Sequence, residues 1–182
     1  MSTLWTIGHS TRPIEKFLEL LRVHGIELIF DVRTIPQSRF NPQFHSIALA
    51  ERAIAAELGY RHAAHLGGLR KPKQDSPNLG WRNQSFRGYA DYMQTESFRK
   101  ALEQLMVVGT SRRTAVMCAE AVPWRCHRSL IADALLCRGW TVRHILSETK
   151  AVEHHRTSFA ILDRGTPIYP RSSDSEAPIR LF

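Results

Sequence analysis

Cys126-His127-Arg128 puts a nucleophile, a proton carrier and a forked cation on consecutive residues, at the start of an apolar helical stretch. A helix start offers free backbone N–H groups and a favourable dipole. Phosphate or carboxylate can dock there, and Arg128 adds a paired donor. The same field lowers the pKa of a first-turn thiol, which makes Cys126 a conceivable nucleophile with His127 or His9 as its base. The plain alternative is a Cys126 packed under the helix and an Arg128 holding a structural carboxylate. Asp31 and Glu120 form a second candidate set. Two carboxylates with separated pKa values can divide acid and base work, or they can lock Arg33 and Arg128 into buried ion pairs. His9 is a further acid–base candidate, and Ser10, Arg33 and Ser38 are candidate anion ligands. Cys118, Cys126 and His127, with or without His9, are soft enough to hold a metal. Their Cys-x7-Cys-His spacing matches no standard closed site, and a buried thiol is the commoner fate of a residue like Cys118. Neither metal nor cofactor is therefore expected.

These residues work together only if the fold brings them together. Runs at Leu4–Ile7, Ile26–Val32, Thr114–Cys118 and Trp140–Leu146 have strand length and apolar character, and Tyr60–Ala64 is a weaker strand candidate. Between them, Ile14, Phe17, Leu18 and Leu21 recur at helical spacing, with Ser10 or Thr11 as a cap and Pro13 in the first turn. Ser46–Leu58 reads as a helix stopped by Gly59, Tyr89–Met93 as a helical turn, and Phe98–Met106 as a helix stopped by Gly109. Arg125–Arg138 reads as the last helix. The alternation predicts an α/β fold: an open, mainly parallel, Rossmann-like sheet of about five strands with helices on both faces. Ligands of such sheets bind beyond the carboxyl ends of the strands, where His9, Asp31, Arg33, Cys118 and Glu120 all fall.

Thr6-Ile-Gly-His-Ser10, Asp31-Val-Arg33 with Pro36, Ser38, Pro42 and Phe44, Leu66-Gly-Gly68, and the Cys-x-Glu…Pro…Cys-His-Arg pattern of Cys118–Arg128 resemble the signature of domain-of-unknown-function family 488. The resemblance runs over about residues 4–147. It implies a Rossmann-like domain with its site at these strand ends. Some members carry a DNA-repair label, and the family as a whole has no established activity.

The chain has 182 residues, enough for one domain with its own core. Residues 1–150 read as that domain, and 151–182 as an extension. In the extension, Phe159–Leu162 and Ile168–Tyr169 flank Arg164-Gly165 as a hairpin, and Arg171–Pro178 forms a loose tail. No apolar run spans a bilayer, no signal peptide is evident, and an odd three cysteines suit a reducing cytoplasm. The net charge of +8 favours polyanionic partners, nucleic acid or a phosphorylated small molecule. An irregular stretch at about 66–87 concentrates that charge: Arg70, Lys71, Lys73, Arg82 and Arg87 interleave with Trp81 and Phe86, as in surfaces that track a backbone and stack bases. A solvated loop pinned by its aromatics is the bland alternative. No phosphate-binding glycine loop, dinucleotide fingerprint or serine-hydrolase elbow is present. The expectation is an enzyme acting on nucleic acid or nucleotide by hydrolytic or glycosidic chemistry. Its rivals are a non-catalytic binding module for the same ligands and a thiol- or metal-dependent protein using Cys118 and Cys126.

Overall fold

The computed structural model describes residues 2–162 and 165–171. Six strands form one sheet: β1 (Thr3–Gly8), β2 (Leu28–Asp31), β3 (Gly59–His62), β4 (Thr114–Cys118), β5 (Thr141–Ile145) and β6 (Ala151–Glu153). Their order is β3-β2-β4-β1-β5-β6. The first five run parallel, and β6 pairs antiparallel with β5. Five helices connect them: α1 (Ile14–Val23), α2 (Ser46–Ala55), α3 (Gln84–Met93), α4 (Glu96–Ser111) and α5 (Arg128–Leu136).

The central strands are apolar at nearly every position because both faces of a parallel sheet are covered. Leu4, Phe30, Val116 and Val142 point into one core with Tyr89, Met93, Phe98, Leu102, Leu130 and Leu135 of α3, α4 and α5. Trp5, Ile7, Ile29, Ala115 and Met117 point into the other with Phe17, Leu21 and Leu49 of α1 and α2. Each fully buried large side chain is worth about 1.5–3 kcal/mol, so the two layers fix the register of every central strand. The chain leaves β1 and β2 along the α1–α2 face, and β3 and β4 along the other. The sheet therefore has its switch point between β1 and β4, where a crevice opens beyond the carboxyl ends.

Several expected boundaries are corrected. Gly109 lies inside α4, packed beside Leu4 and Trp140, instead of stopping the helix. Gly59 opens β3, and the turn after α2 is made by Glu57 with φ +59°. Neither Ser10 nor Thr11 caps α1; Pro13 holds the N-cap position without a side-chain bond. The turn expected at Tyr89 belongs to a ten-residue helix capped by Asn83, whose Oδ1 accepts from the backbone N–H of Ser85 at 2.8 Å and Phe86 at 3.2 Å. After residue 150 the chain adds β6 to the sheet and sends Tyr169 into the core. The expected hairpin is one antiparallel bridge, Ile161 to Ile168; Arg164 and residues 172–178 of the expected tail lie outside the described residues.

Candidate functional site

At the switch point the β1–β4 ladder continues past the strand ends. The N–H of His9 donates to the Cys118 carbonyl at 3.0 Å, and that of Ser10 to the Ala119 carbonyl at 2.8 Å. The chain leaving β4 then passes over Gly8, where a Cβ would lie 1.9 Å from the Glu120 carbonyl oxygen. Only glycine permits that approach, so the Gly8-His9 pair is a packing requirement as well as a site element. Beyond it lies a cavity of about 490 Å³, lined among others by His9, Arg33, Ser38, Gly68, Cys118, Glu120, Cys126 and His127.

The cavity floor is a thiol–imidazole cluster. Cys118 ends β4, and a short 3-10 turn at Pro123–Arg125 swings the chain back so that Cys126 and His127 face it. His127 Nδ1 lies 3.7 Å from Cys126 Sγ and 4.0 Å from Cys118 Sγ. The other ring nitrogen, Nε2, faces the Val32 carbonyl at 3.3 Å and donates its proton there, which leaves Nδ1 bare towards the sulfurs. The hydrogen bond from the Cys118 thiol pulls Cys126 well below the ordinary thiol range, against burial and helped by the Arg128 charge, while Cys118 is held well above it. Tyr89 packs against the His127 ring with centroids 4.9 Å apart and donates its hydroxyl to the Leu66 carbonyl at 2.8 Å. Thr34 Oγ1 donates to the Gly68 carbonyl at 2.9 Å, which sets Gly68 directly over the imidazole.

Asp31 sits at the same edge but is closed off. It is fully buried and accepts from Arg33 Nε at 2.9 Å, Arg33 Nη2 at 2.6 Å, the Arg33 backbone N–H at 3.1 Å and the Tyr60 hydroxyl at 2.7 Å. Such a carboxylate is a structural anion, and the Asp31–Glu120 acid–base pair is not assembled: Glu120 is exposed on the loop after β4. Arg33 is committed to Asp31, with Nη1 left to point at His9 Nε2 at 3.4 Å. His9 donates Nδ1–H to the Ser10 carbonyl at 2.8 Å and stacks on Phe44 at 4.2 Å. Burial, offset in part by that carbonyl and reinforced by the Arg33 charge, brings His9 down to about 4, so it is a neutral acceptor near pH 7.

Arg128 is likewise not an open anion clamp. It is 1% exposed, and its donors go to the Glu120 carbonyl, to Thr6 Oγ1 at 3.3 Å and to Cys126 Sγ at 3.3 Å. The first N–H groups of α5 are also taken, Ser129 by the Cys126 carbonyl at 3.0 Å and Leu130 by that of His127 at 3.1 Å. Behind Arg128 runs a buried chain: Thr6 hydroxyl to His144 Nδ1 at 2.7 Å, His144 to His154 at 3.0 Å, His154 to Asp133 at 3.0 Å, with Tyr169 also donating to Asp133 at 2.9 Å. Ser38 lines the cavity and accepts from the Asn41 N–H at 3.0 Å, while Ser10 lines a smaller adjoining depression.

The basic loop is held down. Asp91 accepts from the Lys73 N–H at 2.8 Å, Ser76 Oγ at 2.7 Å and Asn78 Nδ2 at 2.7 Å. Arg70 lies 3.7 Å over the Tyr92 ring, and Arg87 donates twice to the Trp81 carbonyl, at 3.1 and 2.8 Å. Trp81 packs among Phe86, Phe159 and Tyr169, so it is a pin and not a free stacking platform. Lys71, Lys73 and Arg82 remain exposed.

The family described as a domain of unknown function, DUF488, matches residues 13–135. The chain belongs to the DUF488 family. No curated protein and no solved structure matches it. The DUF488 span carries Asp31, Arg33, Gly68, Cys118, Cys126 and His127, while His9 stands just before it. In this DUF488 chain, sequence reasoning assigned no site role to Tyr60, Thr6, His144, His154 and Asp133. Only Asp133 left a signal, a carboxylate set within the apolar run Leu130–Leu135.

Proposed function

We propose that this DUF488 protein is a hydrolytic enzyme whose reacting centre is the Cys118–Cys126–His127 cluster and whose substrate is a small anionic molecule of nucleotide size. The observation that carries the reading is the cavity of about 490 Å³ with two thiols and a bare imidazole nitrogen on its floor. Ligand sites of enzymes are commonly about 300–1,000 Å³, mostly apolar with a few convergent polar groups. Here Phe86, Tyr89 and Leu69 supply the apolar wall, and Arg125, Ser38 and Asn83 supply polar groups at the rim. His9, held by the Ser10 carbonyl and Arg33, forms part of the wall, and Glu120 is an exposed carboxylate beside it. Lys71, Lys73 and Arg82, with the net +8 charge, steer an anion towards the crevice without holding it. Two thiols kept apart from a disulfide suit the reducing cytoplasm, which we take as its compartment.

The test is a turnover screen with nucleotides, sugar phosphates and chromogenic phosphate and carboxylate esters, comparing the wild type with Cys126→Ser and His127→Ala. Turnover of at least one class by the wild type is expected, falling by roughly 100-fold or more in both variants while far-UV circular dichroism stays native. Equal rates in the wild type and folded variants across all classes would overturn the reading.

A further inference from the structure

The cluster has a geometry that thiol chemistry alone does not require. We infer that Cys118 Sγ, Cys126 Sγ and His127 Nδ1 hold a single borderline-soft divalent cation, zinc, with a fourth position open to the cavity. This rests on the proposed reaction centre and names its cofactor.

Four observations converge on it. The three donor atoms all lie within 4.8 Å of one another, with the imidazole 3.7 and 4.0 Å from the sulfurs. A tetrahedral ion with Zn–S of about 2.3 Å and Zn–N of about 2.0 Å places its donors roughly 3.5–3.8 Å apart, so the two imidazole–sulfur separations need only a slight contraction to ligate. Those separations are long for hydrogen bonds, so the bare Nδ1 has no strong proton donor among the described residues. Nε2–H on the Val32 carbonyl fixes the tautomer that ligation through Nδ1 demands, the outer-shell arrangement usual for metal-bound histidine. Arg128 Nε donates to Cys126 Sγ at 3.3 Å, a second outer-shell bond that stabilises a coordinating thiolate.

The fourth observation is space. A Cβ on Gly68 would sit over the imidazole face, 3.1 Å from His127 Nδ1 and 3.5 Å from Cε1, and the glycine leaves that space beside the ligating position open. All three donors line the cavity, and no fourth Cys, His, Asp or Glu joins the group among the described residues. Structural zinc sites close with four protein ligands, whereas catalytic sites keep one position for water or substrate. Three donors facing a cavity fit the second pattern. Bound there, the ion would supply a water acidic enough to ionise near neutral pH, and an oxygen of the substrate would find a Lewis acid on the cavity floor. The residues of the chain would keep the donors oriented, with Arg125 nearby to receive the anion.

The decisive experiment uses the full chain, purified without chelator. Elemental analysis is expected to find one zinc per chain that survives gel filtration. After chelation, adding cobalt(II) to the folded apoprotein is expected to give intense visible bands of a tetrahedral site and a near-ultraviolet sulfur-to-cobalt charge-transfer band. The charge-transfer band reports thiolate ligation in the wild type, so the inference survives even where a variant fails to fold. Cys118→Ser and His127→Ala should weaken metal binding by at least ~100-fold, and Cys137→Ser should leave it unchanged. A folded wild type with no stoichiometric metal, no charge-transfer band and two freely alkylated thiols would overturn the inference. That result would leave the thiol-centred enzyme standing. Stoichiometric zinc in a protein whose variants match its turnover would do the reverse.

Discussion

Two polar clusters share the carboxyl edge of this sheet, and they differ in what their partners leave unused. Around Asp31, four donors within 3.1 Å come from Arg33 and Tyr60 and occupy both carboxylate oxygens. Around His127, Nδ1 faces sulfurs at 3.7 and 4.0 Å, and a glycine keeps the space over the ring free. Charge and burial alone would rank the Asp31 pair as the chemical centre. Its complete satisfaction argues instead for structure, since an ion pair this well bonded has little affinity left for a substrate. The thiol–imidazole cluster is the one whose bonding potential is unfilled and whose opening faces a cavity.

The comparison breaks most visibly at Asp31. Asp31→Asn leaves the Arg33 guanidinium buried without its counter-ion, and the expected loss is about 3–5 kcal/mol in urea denaturation. Replacing the pair together, Asp31→Leu with Arg33→Met, should recover most of that loss, because buried ion pairs are often no more stable than apolar groups of similar size. A single variant as stable as the wild type would mean that the pair is not structural, and the contrast between the two clusters would fall.

A smaller effect tests the buried chain behind Arg128. Burial, together with the nearby His154 and Arg128 charges, brings His144 down to about 3, against 6.5 in an unfolded chain. The unfolded state therefore takes up a proton as pH falls through 6.5, and the folded state does not until about 3. Stability is full above the unfolded value and declines between those limits, with about 2 kcal/mol lost by pH 5. In His144→Gln the drop between pH 7 and pH 5 should be smaller by that amount. An identical drop in both proteins would show that His144 titrates normally and that the chain from Thr6 to Asp133 is not closed to protons.

What could be read in advance follows the same division. β1, β2 and β4 were legible because both faces of each are buried, so residues 28–30 or 115–118 read as an unbroken apolar run, whereas the half-exposed edge strand β3 was fainter. β6 was not, being three edge residues whose pairing depends on β5. α3 was only partly visible, since its first turn is Gln84-Ser85-Phe86-Arg87 and its stabilising carboxylate, Asp91, faces inward to hold the loop. Glycines misled at 59 and 109 because a missing side chain serves close packing as well as helix termination. The location of the site was legible from strand ends, but the state of each group was not. Sequence cannot say that Tyr60 reaches Asp31, that Glu120 offers Arg128 its carbonyl instead of its carboxylate, or that the turn at Pro123–Arg125 brings Cys118 and Cys126 to one imidazole.

The smallest expected change in stability is also the sharpest test of the open cluster. Gly68 does not adopt a left-handed φ, so alanine fits its backbone, and the added methyl meets His127 Nδ1 at 3.1 Å. Lower unfolded-state entropy and a slightly tight contact oppose each other, and Gly68→Ala should shift unfolding by less than about 1 kcal/mol. Metal affinity should nevertheless fall at least ~tenfold, since the methyl would crowd the imidazole face beside an ion on Nδ1 and push the ring out of its ligating position. The same substitution made against Asp31 would have no counterpart, because that carboxylate has no vacancy to fill. A Gly68→Ala protein with native stability and undiminished cobalt bands would place the ion elsewhere, on the far side of the sulfurs from Gly68. A stable protein with weakened bands fixes the direction from which both ion and substrate approach the cluster.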